Sequence, residues 1–299
     1  MRSFPPSHHQ RTPRQNFGNL RRKLSMIENY LQAALKALIY EVSVFPKPGL
    51  VDPLDNSTHP DMTVFTFIDS SFSLEKYFLE VSKTAAQFRG KDLRDLFYQI
   101  RPLGIQAEKD MYAATKGVNT HKGAIFSLGI VLAASVYSKS LKTENILTVV
   151  KKMMKGIVTR DLENKKNFQT AGEIQFEKYR LTGIRGQAEA GFPIVSCFAL
   201  PFFNKRKGSL NDRLLDTLLL IARHNPDSNL IKRAGNPDVI EKVNSQIDEY
   251  FDLGGSQSQA GRKQLEKINN YFNRFNLSLG GAADMLILTI YFALIEKNI

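Results

Sequence analysis

The chain is poor in cysteine. Cys197 is its one thiol in 299 residues, so neither an intramolecular disulfide nor a cysteine-based zinc cluster is open to it. A lone thiol suits a reducing compartment, and the cytoplasm is the expected location. Long apolar runs are missing as well. The most apolar stretch, residues 285–295, falls short of the roughly 18 residues that a membrane span needs and reads as a buried helix. The first 25 residues contain no acid and no apolar segment of the kind a secretory signal requires. They carry Arg2, Arg11, Arg14, Arg21, Arg22 and Lys23, which is half of the net charge of +12. The rest of the chain is therefore only mildly basic, with Lys and Arg interleaved among Asp and Glu as on solvated helix faces. That balance fits a site for polyanionic small molecules at least as well as a nucleic-acid footprint, which is disfavoured. Sustained period-two alternation with hairpin turns is absent, as is any repeat of roughly 20–50 residues.

What is present is helical periodicity. Residues 1–24 read as a disordered basic tail and residues 25–299 as a single all-α catalytic domain. Ile27, Leu31, Ala34, Leu35, Leu38 and Ile39 recur at three and four residues and form one apolar stripe. Pro46-Lys47-Pro48-Gly49 ends that helix, because proline lacks a donor and glycine permits a sharp turn. A second helix is predicted at about 63–88. A third, capped by Asp92, is expected to kink at Pro102 and Gly104 before running to about 116. Further helices are predicted at about 121–138, 143–159, 189–200, 209–224, 236–251, 258–274 and 280–297.

Four stretches between or at the ends of these helices combine Gly or Pro with charged and amide residues that core packing does not demand. The first holds Glu41, Lys47, Asp52, Asp55, His59 and Asp61, with Asp69 on the following helix. Several carboxylates within a short span make a hard-cation site of the kind that accepts Mg²⁺ with nucleotide phosphates. A polar loop of Asx turns accounts for the same residues. In the second, Glu108 precedes Gly117-Val118-Asn119-Thr120-His121-Lys122-Gly123 on the chain. Asn119 or Thr120 can cap a helix starting near His121, and free amides beside Lys122 make a phosphate cradle. An ordinary capped helix is the plainer account, and the spacing is not that of a Walker A loop. The third is Thr182-Gly183-Ile184-Arg185-Gly186-Gln187, in which glycines flanking Arg185 suggest a loop close to a ligand. The fourth is Asp227-Ser228-Asn229-Leu230-Ile231-Lys232-Arg233, joined by Gly280-Gly281-Ala282-Ala283-Asp284 at the start of the last helix. No serine–histidine triad, zinc motif or dinucleotide fingerprint is found, and four polar constellations of one chemical kind favour a nucleotide-phosphate transferase.

Pro46 through Asp52, Gly117 through Gly123, Gly183 through Gly186 and Asp227 through Arg233 resemble the triphosphoribosyl-dephospho-CoA synthase family, over about residues 27–297. The resemblance implies an all-helical fold and a transferase that joins the triphosphoribosyl group of ATP to the 2′-hydroxyl of 3′-dephospho-CoA, releasing adenine. It implies Mg²⁺ alongside ATP. Downstream, a second transferase would deliver the product to an acyl carrier protein of citrate lyase or malonate decarboxylase. It casts Asp52, Glu108 and His121 as catalytic groups. Lys47, Asn119, Thr120, Lys122, Arg185, Asn229, Lys232 and Arg233 become substrate-binding groups, and Glu41, Asp52 and Asp284 metal ligands. Three positions depart from the family pattern. Gln187 stands where the family carries glutamate, which implies either reduced activity or a transfer of that role to Glu189. Ser228 replaces threonine and keeps the hydroxyl, and Leu279 replaces proline. An N-glycosidase or ADP-ribosyl-type hydrolase, with water as acceptor, remains open, as does a non-catalytic nucleotide-binding helical protein. A monomer and a homodimer are equally compatible with the sequence.

Overall fold

The computed structural model describes residues 13–164, 167 and 171–299, with side chains from residue 25 onward except that of Ala171. Among these residues the chain is all-α, with no strand. The first seven helices are α1 (Pro13–Ser43), α2 (Val64–Ser73), α3 (Glu75–Gln87), α4 (Leu93–Ala114), α5 (Lys122–Ser138), α6 (Thr143–Met154) and α7 (Ala171–Tyr179). They are followed by α8 (Gly183–Glu189), α9 (Leu200–Lys205), α10 (Leu210–His224), α11 (Ser228–Ala234), α12 (Val239–Asp252), α13 (Gln259–Arg274) and α14 (Gly280–Ile295). Of the segment read as a tail, residues 1–12 lie outside the described residues, and α1 begins at Pro13.

Two helices organise the core. Apart from their first turns, α5 and α14 are apolar and buried on nearly all faces, from Ala124 to Val136 and from Met285 to Ala293. A helix apolar all round has no solvent face and must be surrounded by others. Accordingly α14 packs against α1, α5, α10 and α9, and α5 against α3, α6, α1 and α4. Burying Leu128, Leu132, Leu286 and Leu288 completely contributes on the order of 2 kcal/mol each. No single helix among the described residues is long and apolar enough to cross a membrane.

Local chemistry sets the helix ends. Asp92 accepts the Arg94 amide at 2.9 Å to start α4, Ser209 accepts the Asp212 amide at 3.1 Å to start α10, and Ser258 accepts the Gly261 amide at 2.8 Å to start α13. The stretch 63–88, predicted as one helix, is two. The Ser71 hydroxyl donates to the Phe67 carbonyl and that of Ser73 to the Ser70 carbonyl, and the chain breaks at Leu74. Pro102 lies inside α4, which continues through it. The helix predicted at 189–200 is replaced by α8, a break at Gly191 and Phe192, both with positive φ, and a π-turn over Ile194–Ala199. Arg185 therefore rides on a short helix where a loop was expected.

Candidate active site

The polar ends of the two core helices open on one trough made of two joined cavities. The first, of about 320 Å³, is lined by the 47–62 loop, by Asn119 through Gly123, by Asn229, Lys232 and Arg233, and by Gly280, Ala283 and Asp284. The second, of about 430 Å³, is lined by Tyr112, Thr182 through Arg185, Gln187, Asn225, Pro226 and Ser228. Both share Asn119, Lys122, Gly123, Asn229 and Asp284. Three of the four constellations seen in the sequence, together with part of the first, therefore converge in space.

The 117–123 turn is built by its backbone. Lys116 and Gly117 both have positive φ, 55° and 90°, which turns the chain sharply out of α4 and into α5. The Asn119 side-chain oxygen accepts the Lys122 amide at 3.3 Å, while Thr120 points its hydroxyl at Ser70 Oγ, 2.6 Å away. The capping duty thus falls to Asn119. Lys122 reaches back to Glu108 with Nζ–Oε2 at 2.8 Å, and both side chains are partly exposed. Glu108 lines neither cavity and acts on the site through Lys122.

His121 is buried, with Nδ1 2.7 Å from Ser70 Oγ and the Phe67 ring edge-on at 5.1 Å. Its Nε2 has no hydrogen-bond partner among the described residues. Burial first, and then the Lys47 ammonium, hold its pKa down to about 3. His121, expected from the resemblance as a catalytic group, is thus a neutral imidazole in this site. Ser70 gave no signal in the sequence, because one serine on an apolar helix resembles any other.

The carboxylates have separate fates. Glu41 is buried and bonded to the equally buried Lys47, Nζ–Oε1 2.6 Å, with the Glu41 carbonyl a second acceptor at 2.7 Å. Lys47 thereby spends two of its three donors on Glu41, although it lines the first cavity. Asp52 is buried and organises its own loop. It accepts the amides of Lys47 (2.7 Å), Leu54 (2.7 Å) and Asp55 (2.9 Å), and it lines neither cavity. Asp227 caps α11 through the Asn229 amide at 2.8 Å and also holds the Ala282 amide of α14 at 2.8 Å, which ties the two helix starts together. Burial pushes its pKa up to about 6 against the pull of those amides. Asp284, half-buried on the floor where the cavities meet, has no hydrogen bond or ion pair among the described residues. Burial, then the charges of Asp227 and Glu41, hold its pKa well above the usual carboxylate range. A Cβ at Gly123 would fall on the Asp284 carboxyl oxygens, so only glycine allows α5 to begin against that carboxylate.

The expected metal set of Glu41, Asp52 and Asp284 does not assemble. The first is taken by Lys47 and the second by backbone amides. Among the described residues no three His, Cys, Asp or Glu side chains are placed to hold a metal ion. The described residues therefore do not form a metal site held by protein side chains alone.

The basic residues divide in the same way. Lys232 is exposed at the first cavity and has no ion pair among the described residues. Arg233 donates to the Thr58 carbonyl at 2.8 Å and to the Asn276 side-chain oxygen at 2.6 Å, and contacts His59 at 3.0 Å, bracing the 51–62 loop. Arg185 faces the second cavity between Asp161 at 3.6 Å and Glu173 at 3.9 Å, and Arg101 grips Asp161 from the other side at 2.8 and 3.1 Å. Gln187 lines the second cavity, and its side-chain oxygen is buried without a partner among the described residues. Glu189 cannot take over its place, because it is held by the Gly156 and Val158 amides at 2.5 and 3.1 Å.

A helical shell around a trough of amides, lysines and carboxylates is the architecture of a protein that handles phosphorylated substrates. The comparisons with known proteins make this specific. The family model described as ATP:dephospho-CoA triphosphoribosyl transferase matches residues 27–299, and the chain belongs to that family. It is a transferase of the triphosphoribosyl-dephospho-CoA synthase kind. A protein of Lactiplantibacillus plantarum, named a probable 2-(5″-triphosphoribosyl)-3′-dephosphocoenzyme-A synthase, is 49% identical over 265 residues, covering 87% of this chain and 95% of that one. A Citrobacter koseri protein of the same name is 35% identical over 283 residues, covering 91% and 92%. Protein CitXG of Leuconostoc mesenteroides is 50% identical over 271 residues. These span 88% of this chain but only 58% of that protein. No solved structure matches the chain.

Proposed function

We propose that the trough binds ATP and 3′-dephospho-CoA side by side and transfers the triphosphoribosyl group to the 2′-hydroxyl of dephospho-CoA, releasing adenine. The observation that carries this reading is the pair of cavities joined at one set of residues, Asn119, Lys122, Gly123, Asn229 and Asp284. A transfer between two nucleotides needs two sites that share a wall. The long helices α5 and α14 both begin at that wall, and helix N-termini favour phosphate. Lys122, at both cavities, and Lys232, at the first, supply ammonium groups, and Arg185 supplies a guanidinium to the second. Displacement at the ribose C1′ passes through an oxocarbenium-like state, which nearby negative charge stabilises. Asp284 is the carboxylate in position for this. Magnesium, riding on the ATP phosphates, would lower their charge.

Both substrates are metabolites of the cytoplasm, where we place the protein. The product would pass to a second transferase and an acyl carrier protein, and the relative called CitXG favours the citrate lyase system over malonate decarboxylase. Adenine release, followed with ATP, Mg²⁺ and the full-length protein, tests the reading. It is expected only when dephospho-CoA is present, and release at the same rate without it would establish a hydrolase.

A further inference from the structure

We infer that Asp284 is the base for the attacking 2′-hydroxyl and that the same carboxylate makes the enzyme refuse coenzyme A, by repelling its 3′-phosphate. The inference rests on the reading that both nucleotides occupy the trough.

Three observations support it. Asp284 is on the wall common to both cavities, where an acceptor from one and a ribose from the other meet. Among the described residues it is also the acid inside the trough that has no hydrogen bond or ion pair. Glu41 is bonded to Lys47, Glu108 to Lys122, and Asp227 to backbone amides, while Asp61 stands exposed at the rim. Finally, Gly123 leaves room for the carboxyl group at the start of α5, and any side chain there would displace it.

The chemistry balances without a further reactant. The 2′-oxygen forms a bond to C1′ of the ATP ribose as the C1′–N9 bond breaks, and the bonding pair leaves with adenine. Asp284 takes the hydroxyl proton, and one proton returned to the adenine ring leaves both the base and the enzyme neutral to the exchange. On a ribose the 2′- and 3′-oxygens are neighbours, so a carboxylate at the first stands beside the second. A 3′-phosphate brings roughly one and a half to two negative charges to that spot. At short range in a partly desolvated cavity such like charges repel strongly. Dephospho-CoA carries a neutral hydroxyl there and escapes the penalty.

The test uses full-length Asp284→Asn. Turnover is expected to fall about 100-fold or more, the usual range for losing a general base, with ATP affinity changed only a few-fold. In calorimetric titrations, coenzyme A should bind the wild type much more weakly than dephospho-CoA does, and Asp284→Asn should close most of that gap. A merely structural role would not move that ratio. Gly123→Ala, which keeps the carboxylate but displaces it, should lose turnover while its thermal unfolding stays cooperative. An active wild type alongside an Asp284→Asn variant with near-normal turnover, or with an unchanged coenzyme A to dephospho-CoA ratio, overturns the inference alone. A folded wild type without dephospho-CoA-dependent adenine release overturns the function and this inference together.

Discussion

The Lys47 ammonium sits 2.6 Å from Glu41 Oε1 and 2.7 Å from the Glu41 carbonyl, with both side chains almost wholly buried. The pair joins the end of α1 to the loop that walls the first cavity. Removing one partner of a buried pair strands the other charge, at a cost of about 3–5 kcal/mol. Lys47→Ala is therefore expected to lower the urea midpoint strongly, and Lys47→Met combined with Glu41→Leu to recover much of the loss. A Lys47→Ala protein of normal stability with weakened ATP binding would instead make Lys47 a phosphate ligand.

Lys122 should behave in the opposite way. Its ion pair with Glu108 is partly exposed, and such pairs contribute about 0–1 kcal/mol to stability. A hydrogen bond to a charged ligand is worth about 1.5–3 kcal/mol. Lys122→Ala should therefore raise the Kd for ATP roughly 10- to 100-fold while the unfolding midpoint barely moves. Titration calorimetry and chemical denaturation of the same sample check both halves.

His121 should remain neutral across the physiological range. Its folded pKa of about 3 lies below the usual 6.5, so below 6.5 the unfolded chain binds a proton that the folded one does not. Its contribution to stability is whole above 6.5 and is lost as pH falls toward 3. In a pH series of imidazole NMR spectra the His121 signals should stay those of the neutral ring from pH 5 to 8, roughly the span over which an ordinary histidine titrates. A midpoint near the usual histidine value would remove the buried, neutral assignment.

Asp284 carries the reverse linkage. Its folded pKa is raised, by burial first and then by Asp227 and Glu41. Between the ordinary carboxylate pKa and the raised one the folded state holds the extra proton, so stability falls as pH rises through that window. Asp284→Asn removes this cost and should raise Tm by on the order of a few degrees, more at pH 8 than at pH 5, while turnover collapses. Stability given up for function in this way is common at active sites. A lowered Tm at every pH would show the carboxylate to be a structural group.

Much of this was legible in the chain, and the exceptions share a cause. The core helices α5 and α14 announce themselves as continuous apolar stretches. Asn119 through Gly123, Asn229, Lys232 and Asp284 stood out because neither a core nor a solvated helix face calls for them. Three-dimensional pairing was not legible. Nothing in the spacing of Glu41, Lys47 and Asp52 says that the first two neutralise each other while the third spends its oxygens on backbone amides. The Ser70 contact spans 51 positions to His121 and has no local signature. The 182–187 segment was misread because the glycines flanking Arg185 suggested a loop, whereas Gly183 admits a positive φ at the entry to α8 and the helix then forms. Gln187 and Glu189 show the same limit, since two residues of separation put one in the cavity and the other under a backbone turn.

The mass of the product formed from ATP and 3′-dephospho-CoA tests the central claim most directly. The account predicts one new species equal to the two substrates less one adenine, appearing in step with free adenine. Free triphosphoribose with dephospho-CoA unchanged would contradict it and make the protein a hydrolase.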